Sequence, residues 1–214
     1  TYTIGASGDF PTFTAAVAAL STYGISCPVT FNVTDGMYDE QISIGNFSGS
    51  DTYTTTFQSA SMDATKVTLF TNMTSPGYVV QFFGASNITF QKMTLSNSSE
   101  TVIDINASTQ NIMNITLNDN IIQTTNITVP VIQSTNTVSF AVDGLTLSNN
   151  MISGGYHGVF INGNTSSPAN NILIDNNTIQ GCDVNGIYIL YADNLSILNN
   201  NITISSSSNP TFGI

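Results

Sequence analysis

The chain has 214 residues, enough to bury one sizeable core, and it is strongly acidic. Thirteen acidic residues face two lysines, Lys66 and Lys92, and arginine is absent, so the formal net charge is −11. This balance argues against nucleic-acid binding, because no cationic surface exists to displace counterions from phosphates. It also argues against direct binding of polyanions, unless a bound cation such as calcium bridges the two. No apolar run reaches the length needed to span a bilayer, so no membrane insertion is expected.

One helix is predicted, over residues 12–23, near the start of the chain. Phe13, Val17 and Leu20 recur at helical spacing, and four alanines in the same stretch favour helix. Gly24 can end the helix. The remainder of the chain has the pattern of β-strands.

Short apolar alternations follow from residue 29 onward, separated by clusters of Asn, Gly and Ser, and they repeat at a regular period. The starts of one set of segments are separated by 27, 30, 27 and 23 residues, and these segments begin at Asn87, Asn114, Gly144, Asn171 and Asn194. A second set lies between them and begins at Tyr78, Thr101, Pro130, Gly158 and Gly186. Each period therefore holds about three short strands, and stacked periods would bury one continuous core.

The period predicts an all-β fold, a right-handed parallel β-helix (β-solenoid) with an N-terminal capping helix. A doubly wound fold would need helical patterns between the strands, and none is present. We expect one domain over residues 1–214, with a cap at 1–28 and rungs at 29–214. Alternation predicts that ten apolar residues point inward: Ile88, Phe90, Ile115, Leu117, Leu145, Leu147, Ile172, Ile174, Leu195 and Ile197.

The repeated segments also align asparagines at one corner of the predicted coil. One position holds Asn120, Asn150, Asn177 and Asn200, and the position before it holds Asp119, Asn149, Asn176 and Asn199. Asn tolerates the left-handed backbone of a sharp corner, and its amide can bond the Asn of the next rung. We therefore predict a structural asparagine ladder. The first segment has Lys92 and Met93 at these two positions, so the ladder should begin one rung later.

Two further expectations concern the cysteines and the end of the chain. Cys27 and Cys182 are 155 positions apart, and each adjoins an apolar strand pattern, so buried free thiols are expected rather than a disulfide. The final residues SNPTFGI align with the second set of segments, so the coil is expected to stop within a strand. We expect either a longer polypeptide or head-to-tail docking on another copy or partner.

Two stretches of this sequence resemble a known family. GDFPTFTAAVAAL, from Gly8, and VTFNVTDGMYDEQISI, from Val29, resemble the N-terminal region of pectin methylesterases. They resemble still more closely the pectin-lyase-like domains of large secreted surface proteins of Bacteroidetes. The resemblance implies that the first stretch is the helix that plugs the end of a β-helix and that the second is its first rung. It extends over roughly residues 1–70.

The resemblance also indicates what an enzyme of this superfamily requires. Its methylesterases use two aspartates, a glutamine pair and an arginine. Its lyases use calcium-binding aspartates with an arginine or lysine base, and its hydrolases use three aspartates, a histidine and an arginine–lysine pair. Without arginine none of these sets can be completed, so no catalytic residue and no metal ligand is assigned. His157, in GGYHGVFI, partly matches a hydrolase motif but lacks the expected acidic partner, and is interpreted as a turn or groove residue.

The sequence is therefore interpreted as a non-catalytic, secreted or cell-surface β-helix with a structural or adhesive role, an adhesin that could assemble head-to-tail into extracellular filaments. Its expected partners are other copies of itself or surface glycans. The alternative is a polysaccharide-binding or polysaccharide-degrading, pectinase-like module. Its groove would lie near Tyr156, His157, Tyr188 and Tyr191, whose rings could stack on sugars. No cofactor is expected, with calcium the one ion considered, at DGMYDE from Asp35.

Overall fold

A computed structural model describes residues 1–71 and 77–205, in which one helix is followed by a long succession of short strands. The helix α1 spans Phe13–Tyr23. The strands are β1 (Tyr2–Ile4), β2 (Val29–Val33), β3 (Gly36–Asp39), β4 (Ile42–Gly45), β5 (Thr55–Ser59), β6 (Val67–Thr71), β7 (Val80–Phe83), β8 (Ile88–Gln91), β9 (Thr94–Asn97), β10 (Ile103–Ala107), β11 (Ile112–Asn118), β12 (Ile121–Thr124), β13 (Ile132–Asn136), β14 (Val142–Ser148), β15 (Met151–Ser153), β16 (His157–Asn162), β17 (Ala169–Asp175), β18 (Thr178–Cys182), β19 (Asn185–Leu190), β20 (Ala192–Leu198) and β21 (Asn201–Ile204).

These strands form three parallel sheets. Sheet A has the order β1-β2-β5-β8-β11-β14-β17-β20, sheet B the order β21-β18-β15-β12-β9-β6-β3, and sheet C the order β19-β16-β13-β10-β7-β4. From β2 onward each turn of the chain passes through sheets A, B and C in succession. Strands that are neighbours in a sheet come from successive turns, which confirms the predicted parallel β-helix. α1, the one helix among the described residues, is too short to cross a membrane.

The core runs along the axis of the coil. In the first turns it is aromatic, because Phe31, Phe57 and Phe90 stack with ring centroids 4.9 and 4.8 Å apart. Aliphatic side chains continue the same line in later turns. Eight of the ten residues predicted to point inward are buried, whereas Leu195 is 39% exposed and Ile197 is partly buried. These two lie on β20, the edge strand of sheet A among the described residues, and so have a neighbouring rung on one side.

The N-terminal cap is α1 together with a strand that the sequence did not predict. β1 pairs with β2, so sheet A already begins within residues 1–28. Thr12 is the N-cap of α1, and its Oγ1 accepts a hydrogen bond of 3.0 Å from the Ala15 N–H. The Glu40 carboxylate accepts from the N–H groups of Phe13 and Thr14 at 3.0 and 2.8 Å. A negative charge at a helix N-terminus is favourable, so the first rung holds the cap in place.

The predicted corner asparagines stack in one line between sheets A and B. The main-chain N–H of Asn120 donates to Asn150 Oδ1, that of Asn150 to Asn177 Oδ1, and that of Asn177 to Asn200 Oδ1, each at 2.9 Å. The Met93 N–H donates to Asn120 Oδ1 at 3.1 Å, so the ladder begins where the sequence placed its start. The residues before the ladder all have positive φ: Lys92, Asp119, Asn149, Asn176 and Asn199.

A second asparagine column, which the sequence analysis did not identify, lies immediately before β8 and at the third residue of β11, β17 and β20. Asn87, Asn114, Asn171 and Asn194 have φ between 49° and 56°, and Gly144 takes the same place with φ 83°. Asn114 Nδ2 donates to Asn87 Oδ1 at 2.8 Å, and the Asn194 amide donates to Asn171. Asparagine ladders therefore stabilise two corners of the coil.

The two cysteines differ in their surroundings. Both are free thiols, as expected, and Cys182 is buried. Cys27 is exposed, which corrects the expectation that both are buried. It precedes β2 in the connection from α1, where the adjacent apolar pattern begins only at the strand itself. The final residues 208–214, predicted to stop within a strand, lie outside the described residues.

Candidate functional site

Two neighbouring strands of sheet C, β7 and β10, are entered through a bulge-like step. The Val102 carbonyl accepts from both the Val79 and the Val80 N–H groups at 3.0 Å, and the Val131 carbonyl accepts from both Val102 and Ile103. Consecutive buried residues interrupt the alternation on three rungs: Val79 with Val80, Val102 with Ile103, and Val131 with Ile132. The residues before and after each pair consequently both lie on the outer side.

Aromatic side chains cluster at one end of this face. The His157 ring lies 4.6 Å from that of Tyr156, 5.5 Å from that of Phe160 and 5.1 Å from that of Tyr188, measured between centroids. Phe160 and Tyr188 stack with centroids 5.6 Å apart and an interplanar angle of 10°. We call these four residues the aromatic platform. Tyr156 and Tyr188 are 40% and 38% exposed, so the platform offers ring surface to solvent.

The structure thus brings together three of the four predicted groove residues. The fourth, Tyr191, lies beyond β19 at the corner that leads to sheet A, with φ 52°, and is 55% exposed. It adjoins Asn164, Pro168 and Asp193 rather than the platform. Phe160 was missed, because the sequence alignment of the second set of segments was one residue out of step in its last two members.

His157 is the most buried member of the aromatic platform. Burial lowers its pKa, so the imidazole is neutral at pH 7. Its Nδ1 atom is buried and has no hydrogen-bond partner. None of the three rings that it contacts carries a carboxylate, so these contacts supply no carboxylate partner for the imidazole.

A line of polar side chains continues from the platform along the same face. Strand register places Ser43, Gln81, Asp104 and Gln133 in succession, followed by Phe160 and Tyr188. We call the first four residues the polar column. Six rungs at about 4.8 Å spacing give the whole line a length of about 24 Å.

Hydrogen bonds link the first three members of the polar column in one direction. Ser43 Oγ donates to Gln81 Oε1 at 2.8 Å, and Gln81 Nε2 donates to Asp104 Oδ2 at 2.8 Å. Asp104 is only 9% exposed, and this burial raises the pKa of its carboxyl, while hydrogen bonds from Gln81 and Asn106 oppose the rise. The other oxygen, Oδ1, is buried without a hydrogen-bond partner.

Metal ligation has little support in the part of the chain that the structure describes. It contains no group of three or more His, Cys, Asp or Glu side chains placed to hold a metal ion. In the DGMYDE stretch, where calcium was considered, the Glu40 carboxylate is occupied as the cap of α1. The candidate site is therefore the polar column with the aromatic platform.

The strand pairing by itself defines the chain as a parallel β-helix. No protein-family model matches it, and no curated protein matches it in sequence. Two crystal structures of the pectin methylesterase from Aspergillus niger are similar to it, each with a TM-score of 0.39. The deglycosylated form is 13% identical over 97% of this chain and 90% of that chain. The penultimately deglycosylated form is 12% identical over 98% of this chain and 86% of that chain. That is the family which the opening motifs resemble. A likeness of this size carries no argument about activity.

Proposed function

We propose that this protein is a non-catalytic carbohydrate-binding β-helix, secreted or displayed at a cell surface, which holds a glycan chain along the outward face of sheet C. The observation that carries the proposal is the alignment of the aromatic platform with the polar column in one line of six rungs. Sugar rings present apolar C–H faces and hydroxyl edges. A partly exposed tyrosine ring can stack on the C–H face of a sugar, and amide and carboxylate groups can hydrogen-bond its hydroxyl groups.

An adhesive role is supported by the repetition of the coil. On sheet A the outward positions of successive rungs hold Thr30, Thr56, Thr89, Thr116 and Thr146 in register, so hydroxyls repeat along the length of the molecule. Repeated weak contacts from one rigid body add up to strong attachment without any single strong site. The protein would then act as a rod that attaches to glycans or surfaces.

Binding rather than turnover is favoured by the chemistry of sheet C. Asp104 is the one acidic residue within its six strands, whereas glycoside hydrolysis uses a pair of carboxyl groups. The chain also has no arginine to stabilise a developing negative charge. We therefore expect a glycan to bind and to be released unchanged.

The test is binding of the purified chain to a glycan panel, followed by calorimetry with the best ligand. Tyr188→Ala and Phe160→Ala should each weaken binding about two- to tenfold, because stacking contacts of this kind contribute about 0.5–1.5 kcal/mol beyond area. Tyr23→Ala is the matched control, since Tyr23 is 83% exposed on α1, and it should bind as the wild type does. Unchanged affinity of both platform variants, or binding to no glycan, would contradict the proposal.

A second candidate function is glycan cleavage, and the raised pKa of Asp104 between Gln81 and Gln133 is the observation in its favour. Groups with shifted pKa values are enriched at catalytic sites. Reducing ends, unsaturated products and released methanol should be followed with each polysaccharide that binds. Turnover that disappears in Asp104→Asn would establish this candidate and overturn the non-catalytic proposal.

A further inference from the structure

The polar column contains a buried hydrogen-bond acceptor that the protein itself leaves unused. Asp104 is more than nine-tenths buried, yet its Oδ1 atom has no partner. A buried polar atom without a hydrogen bond costs on the order of 1–3 kcal/mol, more when it is charged. Among the described residues five buried side-chain atoms lack a partner, and Asp104 Oδ1 is the one carboxylate oxygen among them.

The hydrogen bonds around Asp104 define what could bind there. The Ser43 hydroxyl and the Gln81 amide are oriented in sequence, and the last donor of this chain is directed at Oδ2 of Asp104. Neither Gln133, on the next rung, nor Asn106, which also interacts with this carboxyl group, bonds Oδ1 in the structure. Because Oδ1 is buried, a ligand donor reaches it only when the Asp104 side chain turns towards solvent. Sugar hydroxyls are donors, and one oxygen of an ionised carboxylate is a strong acceptor for them.

The charges near this acceptor restrict the kind of sugar. Lys66 immediately precedes β6 in sheet B, and Lys92 lies at the corner between sheets A and B, where its Nζ is 3.4 Å from Asp119. No other lysine and no arginine occurs in the sequence, and the His157 imidazole is neutral at pH 7. A uronate bound on sheet C would place a second carboxylate near Asp104 with no positive side chain to compensate, on a protein of net charge −11.

We infer that Asp104 accepts a hydroxyl hydrogen from an uncharged sugar unit, and that the outward face of sheet C consequently selects neutral glycans over polyuronates. This inference rests on the proposed function. It assigns one end of the line to hydroxyl recognition and the other to ring stacking. A bound sugar chain would lie along the axis of the coil and contact both.

The test compares neutral and acidic polysaccharides on the intact chain. Xylan, mannan and β-glucan should be assayed beside polygalacturonate by calorimetry, both in EDTA and with added calcium. We expect binding to at least one neutral polymer and none to polygalacturonate in either condition. Asp104→Asn should weaken neutral binding about tenfold or more, because the amide keeps the bond from Gln81 but replaces the free acceptor with a donor.

The control has the same change in charge at another face. Asp193→Asn alters an exposed residue of β20 in sheet A and should bind as the wild type does. Circular dichroism checks that each variant is folded, and Asp104→Ala repeats the test with both oxygens removed. Equal affinity of both Asp104 variants and the wild type, or tighter binding of polygalacturonate than of every neutral polymer, would overturn the inference.

Those results are distinguishable from failure of the proposed function. If Tyr188→Ala abolishes binding while both Asp104 variants bind normally, sheet C is the glycan site and only the role of Asp104 is wrong. If polygalacturonate binds best and Tyr188→Ala abolishes that binding, sheet C is the glycan site and the predicted selectivity for neutral glycans is wrong. If no polymer binds, both proposals fail.

Discussion

Removing one member of the corner ladder should destabilise the whole coil. Asn150 is 2% exposed, and its side chain bonds rungs on both sides. Its Oδ1 accepts from the Asn120 N–H at 2.9 Å, and its Nδ2 donates to the Leu117 carbonyl at 2.8 Å and to Asn177 Oδ1 at 3.0 Å. Asn150→Ala would leave the Asn120 N–H buried without an acceptor, at about 2 kcal/mol, and remove two further bonds of about 1 kcal/mol each.

The free energy of unfolding should therefore fall by about 4 kcal/mol. For a chain of this size about 1 kcal/mol corresponds to about 3 °C, so the melting temperature should fall by about 12 °C. Thermal and urea unfolding followed by circular dichroism would measure it. Asn201→Ala, at an exposed position of β21, is the control and should stay within about 0.5 kcal/mol of wild type. Equal stability of the two variants would refute the view that the ladder holds the rungs together.

Two more predictions follow from the titratable groups. Under native conditions a thiol reagent should label Cys27 quickly and Cys182 slowly, because Cys27 is exposed while burial raises the pKa of Cys182 to about 11. Denaturant should make Cys182 react as well. Fast labelling of both cysteines in the native protein would contradict the buried position of Cys182. The Asp104 carboxyl has a folded-state pKa above its ordinary value of 3.8, so its contribution to stability is present below that value and is lost as pH rises through the folded pKa. Asp104→Asn should thus be more stable than wild type at pH 7 and lose that advantage below pH 3.8; an advantage independent of pH would disprove the assignment.

The fold could be predicted from the sequence because a coil repeats its chemistry. Each rung needs apolar residues at alternate positions and an Asn at the same corner, so segments beginning at Asn114, Gly144 and Asn171 carry nearly the same pattern. The side-chain period fixed which residues face the core, and the left-handed corner fixed where Asn is tolerated. β1 has no such repeat and was missed for that reason.

The site was only partly predictable, because its residues come together across rungs. The bulge-like step at the Val102 carbonyl breaks the alternation that the prediction relied on. Aligning the second set of segments on their paired buried residues places Gln81, Asp104 and Gln133 with Phe160 and Tyr188 at one position. That signal is present in the sequence. The burial of Asp104 and the missing partner of its Oδ1 are properties of packed side chains and require coordinates.

Hydrogen bonding differs between the corner ladder and the outward face of sheet C. At the corner between sheets A and B, the amides of Asn120, Asn150 and Asn177 each both donate and accept within the protein. On the outward face of sheet C, by contrast, Asp104 Oδ1 and His157 Nδ1 are buried without partners. Both atoms lie on the face that also exposes the platform tyrosines. Three buried side-chain atoms elsewhere in the described residues also lack a partner: Thr55 Oγ1, Asn97 Nδ2 and Ser134 Oγ. The outward face of sheet C, which carries both Asp104 Oδ1 and His157 Nδ1 and the exposed tyrosines, is therefore the one on which we propose that a glycan binds.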